Sequence, residues 1–334
     1  MKYKRVVVSR YGGPEVLQIV EGELPEPQPG EVRLRIVAAG VAWGDVVKRE
    51  GFGIGARPPY TPGYDVIGIV DKFGERASAL EVGQIVAALP IFGGYSEFIC
   101  LPTSALAPAP PGIDPAKAVC LVMNYVVAYQ LLHRAARVKA GERILIHGAA
   151  GGVGTALLQL GKLAGLEMYG TASSGKHESI IKLGGIPIDY RTEDVPGRIQ
   201  VLTGDGVDVV FDPLGGSQVW PSYRMLLKGG RLVVYGAHSI LTDGKLKTVA
   251  GYLLASILNL APDHRVVMLY NITSPRYSKL EWCREDLSML FTLLEQGKIE
   301  PVIAERLPLV EAARAHQLLG EGAVVGKIVL IPNP

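Results

Sequence analysis

The sequence predicts an α/β protein in two parts, a compact and mostly β region followed by a doubly wound parallel sheet covered by helices. Three observations carry this reading. Up to about residue 120 the chain is a series of short β-like runs punctuated by Gly and Pro. From about Val122 buried strand candidates alternate with amphipathic stretches, the pattern of a parallel sheet with both faces covered. Between them in character stands one junction, Ile144 to Gly154, where a buried strand runs through a glycine turn into a helix. The length agrees: 334 residues, at about 150 per domain, make about two domains.

In the first part the predicted strands are 4–8, 31–38, 65–71, 84–89 and 96–100. The run Pro25-Glu26-Pro27-Gln28-Pro29-Gly30 punctuates two of them, and one helix is predicted from Trp43 to Glu50. In the second part the strands are 143–148, 167–171, 186–190, 207–212, 231–236 and 266–271. Gly154–Ala164 reads as a helix because Ala156, Leu157, Leu160, Leu163 and Ala164 share one face. The end of the chain reads as a helix from Asp286, a strand at 305–308, a helix at 310–319 and a strand at 327–331.

Composition excludes several classes. Apolar residues at 48% and charged residues at 20% are globular values, not those of a disordered chain. Thirty-four basic against 32 acidic residues leave +2, which argues against nucleic acid as a partner. Cys100, Cys120 and Cys283 are too few and too scattered for a disulfide framework, and none forms a C-x-x-C pair. The longest apolar run, Ala250 to Ala261, contains Asn259 and falls short of the roughly 20 residues of a membrane span. The expectation is a cytoplasmic protein.

The glycine turn has the spacing Gly148-x-x-Gly151-x-x-Gly154, with Ala149 where the commoner pattern has its first glycine. Glycines there permit a tight turn, close approach of backbone to a pyrophosphate and close helix–strand packing. The free N–H groups of the helix start favour phosphate. Gly148, Ala150, Gly151, Gly152, Val153 and Gly154 are therefore cofactor-binding candidates. No G-K-[ST] follows, so the turn is not a nucleoside-triphosphate loop. At the end of the next strand an NAD enzyme places an acid for the ribose hydroxyls. This chain has Ser173, Ser174 and Lys176 instead, which suit a 2′-phosphate and favour NADP(H). Tyr190 and Arg191 end the third strand and are placed to close over the same phosphate. The same residues also suit a solvated helix start with Ser as N-cap.

The chain resembles the zinc-independent medium-chain dehydrogenases/reductases of the quinone oxidoreductase type. The resemblance rests on Ala38–Asp45, Thr61–Val70, Gly93–Phe98, Val127–Leu132, His147–Gly165 and Val324–Pro332. Gly170–Ile180, Ile188–Asp194 and Phe211–Ser217 resemble the branch of the vesicle amine transport proteins. It implies a GroES-like catalytic domain over 1–121 and 273–334, and an NADP-binding Rossmann domain over 122–272, with the active site in the cleft between them. It also implies a homodimer or dimer of dimers, paired through a strand such as 266–271, acting on a small carbonyl or quinone. Asn124, Leu214, Tyr235, Gly236, His238 and Lys327 join the cofactor set on this ground, and Trp43, Phe52 and Tyr60 the substrate set.

Zinc-dependent relatives carry Cys and His ligands where this chain has Ala42 and Tyr64, and a four-cysteine lobe where Pro90 runs straight towards Gly93-Gly94-Tyr95. No metal site is expected. The chain also departs from the quinone oxidoreductases, which usually carry Asn at Ala42 and Thr at Val127. Enoyl reductases of the superfamily use a Tyr where this chain has Phe52-Gly53. The catalytic candidates left are Tyr64, Asp45, Asn124 and His238, with Asp45 placed to accept from the Tyr64 hydroxyl; the plainer roles of Tyr64 and Asp45 are a pocket wall and a backbone-bonded acid. His147 is expected only to pack, and His238 is read either as a nicotinamide contact or as an exposed loop residue. The leading function is NADPH-dependent reduction of a quinone or α,β-unsaturated carbonyl. The alternatives are an enoyl-thioester reductase with a basic rim at Arg49 and Arg57, and an NADPH-binding interaction protein without turnover.

Overall fold

In the computed structural model, which describes residues 2–53, 55–77 and 80–332, the chain forms two units: 1–124 with 287–334, and 125–286. The first unit opens with an antiparallel ribbon of β1 (Lys2–Val8) and β2 (Leu17–Glu23). Strand β2 has no continuous apolar run and its half-buried and exposed residues do not alternate regularly, so the sequence pattern did not show it. Then come β3 (Glu31–Gly40), α1 (Trp43–Arg49), β4 (Asp65–Phe73), β5 (Ile85–Ala88), β6 (Phe98–Pro102), β7 (Leu106–Pro108) and α2 (Pro115–Cys120).

After the second unit the chain returns with the rest of α9 (Leu280–Glu295), then β14 (Ile303–Pro308), α10 (Ala312–Gly320) and β15 (Lys327–Ile331). A seven-stranded sheet orders these strands β14-β15-β3-β4-β5-β7, with β6 also on β3. Strand β15 is parallel to β14 and antiparallel to β3, so the last strand of the chain lies inside the sheet. Leu34, Ile36, Val66, Ile328 and Leu330 are fully buried in its core.

The second unit contains α3 (Val126–Tyr129), β8 (Arg143–Ile146), α4 (Gly152–Leu163), β9 (Glu167–Ala172), α5 (His177–Lys182) and β10 (Ile186–Asp189). It continues with α6 (Val195–Thr203), β11 (Val207–Asp212), α7 (Val219–Arg224), β12 (Leu226–Val234), α8 (Ile240–Leu258) and β13 (Val266–Leu269). The six strands are all parallel in the order β10-β9-β8-β11-β12-β13. That is the doubly wound Rossmann order, with the reversal between β8 and β11 where such folds bind ligands. The core is built on Leu145, Tyr169, Val210 and Leu232.

Two features refine the sequence reading. Strand β12 starts at Leu226, earlier than the apolar run at 231 suggested, because Lys228, Gly229 and Gly230 interrupt that run. The junctions fall at 124/125 and 286/287, so Asn124 belongs to the first unit and 273–286 to the second. That second segment is held by Tyr277 against Tyr270, with ring centroids 4.5 Å apart, and by Asp286 accepting from Arg134. The helical run 115–136, which contains α2 and α3 joined by π-helical turns, is long and apolar enough for a membrane span. Its most apolar stretch is 78% buried, which makes it a core helix.

Candidate functional site

On the second unit the glycine turn follows directly from β8. Gly148 has φ +66°, a left-handed conformation, and its carbonyl accepts from Gly151 N at 3.0 Å. A Cβ on Gly154 would stand 2.4 Å from Gly148 O and 2.6 Å from Ala149 O, so a side chain there would open the turn. Ala149 has a packing reason: its methyl lies 2.6 Å from where a Cβ on Gly170 of β9 would be. Helix α4 starts at Gly152 with Gly151 as N-cap and no side-chain cap, leaving its first N–H groups and positive dipole end to a ligand.

Beyond β9, Ser173 and Lys176 are half-buried and Ser174 is exposed. Burial holds the Lys176 ammonium below its ordinary pKa, and the Arg191 charge lowers it further. Two cations that repel each other beside a pair of serines fit a dianionic phosphate. Asp189, which ends β10, accepts from Arg191 N at 2.9 Å and Ser174 N at 3.2 Å, and also from the Thr192 side chain. Tyr190 is 55% exposed, with the Arg191 guanidinium 5.8 Å from its ring.

A third loop pair completes this face. Leu214 N and Gly215 N donate to Asp212 Oδ1 at 2.7 and 3.0 Å. From the end of β12, Tyr235 N donates to Asp212 O at 2.9 Å and His238 N to Pro213 O at 3.1 Å. A Cβ on Gly236 would stand 2.3 Å from Pro213 O, so this loop contact also requires glycine. Leu214, Tyr235, Gly236 and His238 are thus brought together. His238 is half-buried, not an exposed loop residue, and burial pushes its imidazole down to about 4. The turn, the helix pole, the paired cations and this loop contact fit a nicotinamide dinucleotide carrying a 2′-phosphate.

On the first unit the candidate side chains gather around α1. Tyr64, just before β4, lays its ring against Gly44, where a Cβ would stand 2.5 Å from the Tyr64 hydroxyl oxygen. Lys48 Nζ lies 3.9 Å from the centroid of the Tyr64 ring and 3.9 Å from that of Phe92. The Phe92 ring in turn meets the Tyr60 ring edge-on at 5.6 Å. Lys48 is buried, and desolvation pushes its pKa down to about 8 against the opposing attraction of Asp45. Burial raises the Tyr64 phenol above its ordinary value, so it stays a neutral hydrogen-bond donor.

Between Tyr64 and Lys48 sits Ile91, a β-branched residue at φ +69°. Its N–H donates to Tyr64 O at 3.2 Å and its carbonyl accepts from Lys48 Nζ at 3.4 Å. Such a backbone costs about 1–3 kcal/mol and persists where its surroundings over-determine it. Trp43 opens α1, and Phe52 follows it with its N–H on Val47 O at 3.0 Å.

Asp45 does not accept from Tyr64. Fully buried, it takes Gly63 N at 3.0 Å on Oδ1, and Ala42 N and the Tyr95 hydroxyl, each at 3.2 Å, on Oδ2. It fixes Tyr64 through the backbone of Gly63 instead, and desolvation raises its own pKa to about 6. Arg49 is not a rim residue either: it is 3% exposed and paired with Glu50. Asn124 and Lys327 meet each other and a third group. Lys327 Nζ pairs with Asp65 Oδ2 at 2.8 Å and donates to Asn124 Oδ1 at 3.4 Å, all three buried.

Residues 28–111 match the alcohol dehydrogenase GroES-like domain, and residues 185–330 match the zinc-binding dehydrogenase family. The chain is 32% identical to the human synaptic vesicle membrane protein VAT-1 homolog, over 98% of this chain and 86% of that protein. It is 30% identical to the rat quinone oxidoreductase over 98% of this chain and 97% of that one. The Escherichia coli quinone oxidoreductase, solved in complex with NADPH, superposes with a TM-score of 0.87 at 28% identity, covering 98% and 100% of the two chains.

The chain belongs to the medium-chain dehydrogenase/reductase superfamily.

Membership makes it an oxidoreductase with a nicotinamide cofactor, and the quinone oxidoreductase type, which needs no zinc, fits it. Among the described residues no group of three or more His, Cys, Asp or Glu side chains is placed to hold a metal. The Tyr64 ring instead carries Lys48. Sequence reasoning missed Lys48, Ile91 and Tyr95. Lys48 lies one helical turn after Gly44 on α1, the residue that makes room for Tyr64, and that spacing was the available signal.

Proposed function

We propose that this medium-chain enzyme is an NADPH-dependent, zinc-free reductase of quinones or α,β-unsaturated carbonyls. The observation that carries the reading is the half-buried phenol of Tyr64 with the Lys48 ammonium on its ring. It supplies a neutral donor and a fixed positive charge for an oxygen that becomes negative as a carbonyl or quinone is reduced. Bound NADPH supplies the hydride. The Tyr64 hydroxyl donates to the substrate oxygen and Lys48 stabilises charge building there. Trp43, Phe52 and Tyr60 wall the substrate. Ser173, Ser174, Lys176 and Tyr190 hold the 2′-phosphate, and residues 148–154 the pyrophosphate.

A second part of the proposal is that two copies pair along β13. This strand is an edge of the six-stranded sheet, with Val266 and Leu269 exposed. Beside it α8 carries exposed Leu246, Val249, Leu253 and Ile257 at helical spacing, and Leu260 follows. Leu253→Lys with Leu269→Lys should turn a dimer into a monomer on size exclusion with light scattering. The absence of disulfides, with Cys100, Cys120 and Cys283 all free thiols, supports a reducing, cytoplasmic setting.

The test is NADPH oxidation with quinones, enones and enoyl thioesters side by side, with elemental analysis of the same sample. Turnover of quinones or enones without stoichiometric zinc, unchanged by chelators, is the expected result. One zinc per chain overturns the reading of Ala42 and Tyr64. NADPH binding without turnover across the panel returns the chain to a binding role.

A further inference from the structure

His147 follows β8 and is buried among polar partners, not only apolar ones. Its Nδ1 lies 3.2 Å from Thr171 Oγ1, and its Nε2 lies 3.2 Å from Ser222 Oγ. Ser222 Oγ is also 3.0 Å from Asp212 Oδ2, and Gly148 N donates to Thr171 Oγ1 at 3.2 Å. Asp212 Oδ1 receives Leu214 N and Gly215 N.

Counting protons fixes the direction of every bond. A carboxylate only accepts, so the one Ser222 hydroxyl proton goes to Asp212. Ser222 Oγ must then accept from His147 Nε2–H. A neutral imidazole with its proton on Nε2 has a lone pair on Nδ1, which accepts from the Thr171 hydroxyl. Thr171 Oγ1 accepts in turn from Gly148 N–H. Each donor is used once, and the chain runs one way from a glycine amide to a carboxylate.

We propose that Gly148, Thr171, His147, Ser222 and Asp212 form a directional hydrogen-bond relay that locks the turn after β8 to the turn after β11, and that His147 is a positioning residue for the dinucleotide. The positioning role rests on the NADPH reading; the relay does not. Strands β8 and β11 are the neighbours at which the sheet order reverses. One end of the relay fixes the first glycine of the pyrophosphate turn. The other fixes the Pro213–Gly215 turn that meets Tyr235 and His238. Burial holds His147 below its ordinary pKa, with Asp212 the one opposing charge, which keeps the imidazole neutral as the relay requires.

The test begins with ¹⁵N-histidine NMR of the cofactor-free protein, the His147 signal being assigned as the one lost in His147→Gln. The expected signal is a neutral Nε2–H imidazole that does not titrate as pH falls from 8 to 5.5. An Nδ1–H imidazole, or one titrating near 6.5, overturns the relay whatever the ligand results. Thr171→Val removes the hydroxyl with little change of shape, and Thr171→Ser restores it. Val should raise the Kd for NADPH roughly three- to tenfold and Ser should stay within about twofold of wild type. A wild-type Kd in Thr171→Val overturns the positioning role, even if its melting temperature falls. Failure of the wild type to bind NADPH overturns the cofactor reading, and the positioning role with it, while the NMR result still decides the relay.

Discussion

The glycine face of the second unit and the Tyr64 cluster of the first are built from opposite materials. The glycine face offers backbone: amides at the start of α4, and loops at Gly154 and Gly236 that leave no room for a Cβ. The Tyr64 cluster offers side chains whose charge is altered by burial: a lysine near 8, an aspartate near 6 and a phenol held neutral. Backbone sites bind a constant ligand with little cost in side-chain entropy. Tuned side chains perform chemistry, and one substitution removes it. The Tyr64 cluster should therefore govern turnover and the glycine face affinity, each leaving the other nearly untouched.

The largest expected effect tests that separation directly. Tyr64→Phe should lower kcat about a hundredfold to a thousandfold, as loss of one donor to a developing oxyanion does, with the NADPH Kd barely moved. An unchanged kcat makes Tyr64 a wall of the pocket. On the other side, Lys176→Ala should weaken NADPH about tenfold to a hundredfold, leaving NADH affinity as it was. Equal losses for both cofactors would remove the 2′-phosphate from this site.

Lys48→Met sharpens the comparison within the Tyr64 cluster. A desolvated cation on an aromatic ring is worth up to about 2 kcal/mol, so kcat should fall about tenfold at pH 7. The wild-type rate should decline as pH rises through about 8, where the ammonium loses its proton, and the Met variant should lack that limb. A wild-type profile flat to pH 9.5 would separate Lys48 from the reaction.

The last effect is on stability. His316 is buried with Nε2 on the Tyr95 hydroxyl at 3.2 Å, and desolvation holds it down to about 3. Between that value and its unfolded pKa near 6.5 the unfolded chain binds the extra proton. Stability is therefore complete above 6.5 and falls by at most about 1.4 kcal/mol per pH unit as pH drops through that window. Asp45, raised to about 6, acts with the opposite sign: its contribution is fullest below 3.8 and is lost as pH rises through 6. His316→Gln should flatten the acid limb of a denaturation series, and an unchanged limb would assign it to His147 and His238.

The same contrast explains what could be read from the sequence. The spacing Gly148-x-x-Gly151-x-x-Gly154 was legible because a glycine requirement is local, set by the turn itself. The parallel sheet was legible because its strands are buried on both faces and so appear as apolar runs. Lys48 was not legible, since a lysine on a short helix normally points to solvent. Its burial is decided by Ile91 and Phe92, more than forty residues away, with the Ile91 carbonyl 43 positions on. The bond from Tyr64 to Asp45 was inferred from proximity in the family pattern. It failed because Gly63, Ala42 and Tyr95 already occupy the carboxylate. Strand β2 has no clean two-residue period, and α8 is apolar on its exposed side as well as at buried Ala255 and Leu258, so neither pattern marks its element.

The place of β15 inside the first sheet sets an order of events during synthesis. Residues 125–286 are contiguous and can fold as they leave the ribosome, whereas the sheet begun at Glu31 waits for Lys327–Ile331 to pair Val329 and Leu330 with Gly40 and Ala39. Until then this part of β3 is an unpaired strand edge, and Asp65 has no Lys327 to neutralise it. The nascent chain thus carries a folded 125–286 unit and an open sheet edge, which gives a chaperone that shields strand edges its longest opportunity between residues 287 and 327. Activity should appear only once Lys327–Ile331 has paired with β3, since that strand closes the sheet that carries Tyr64.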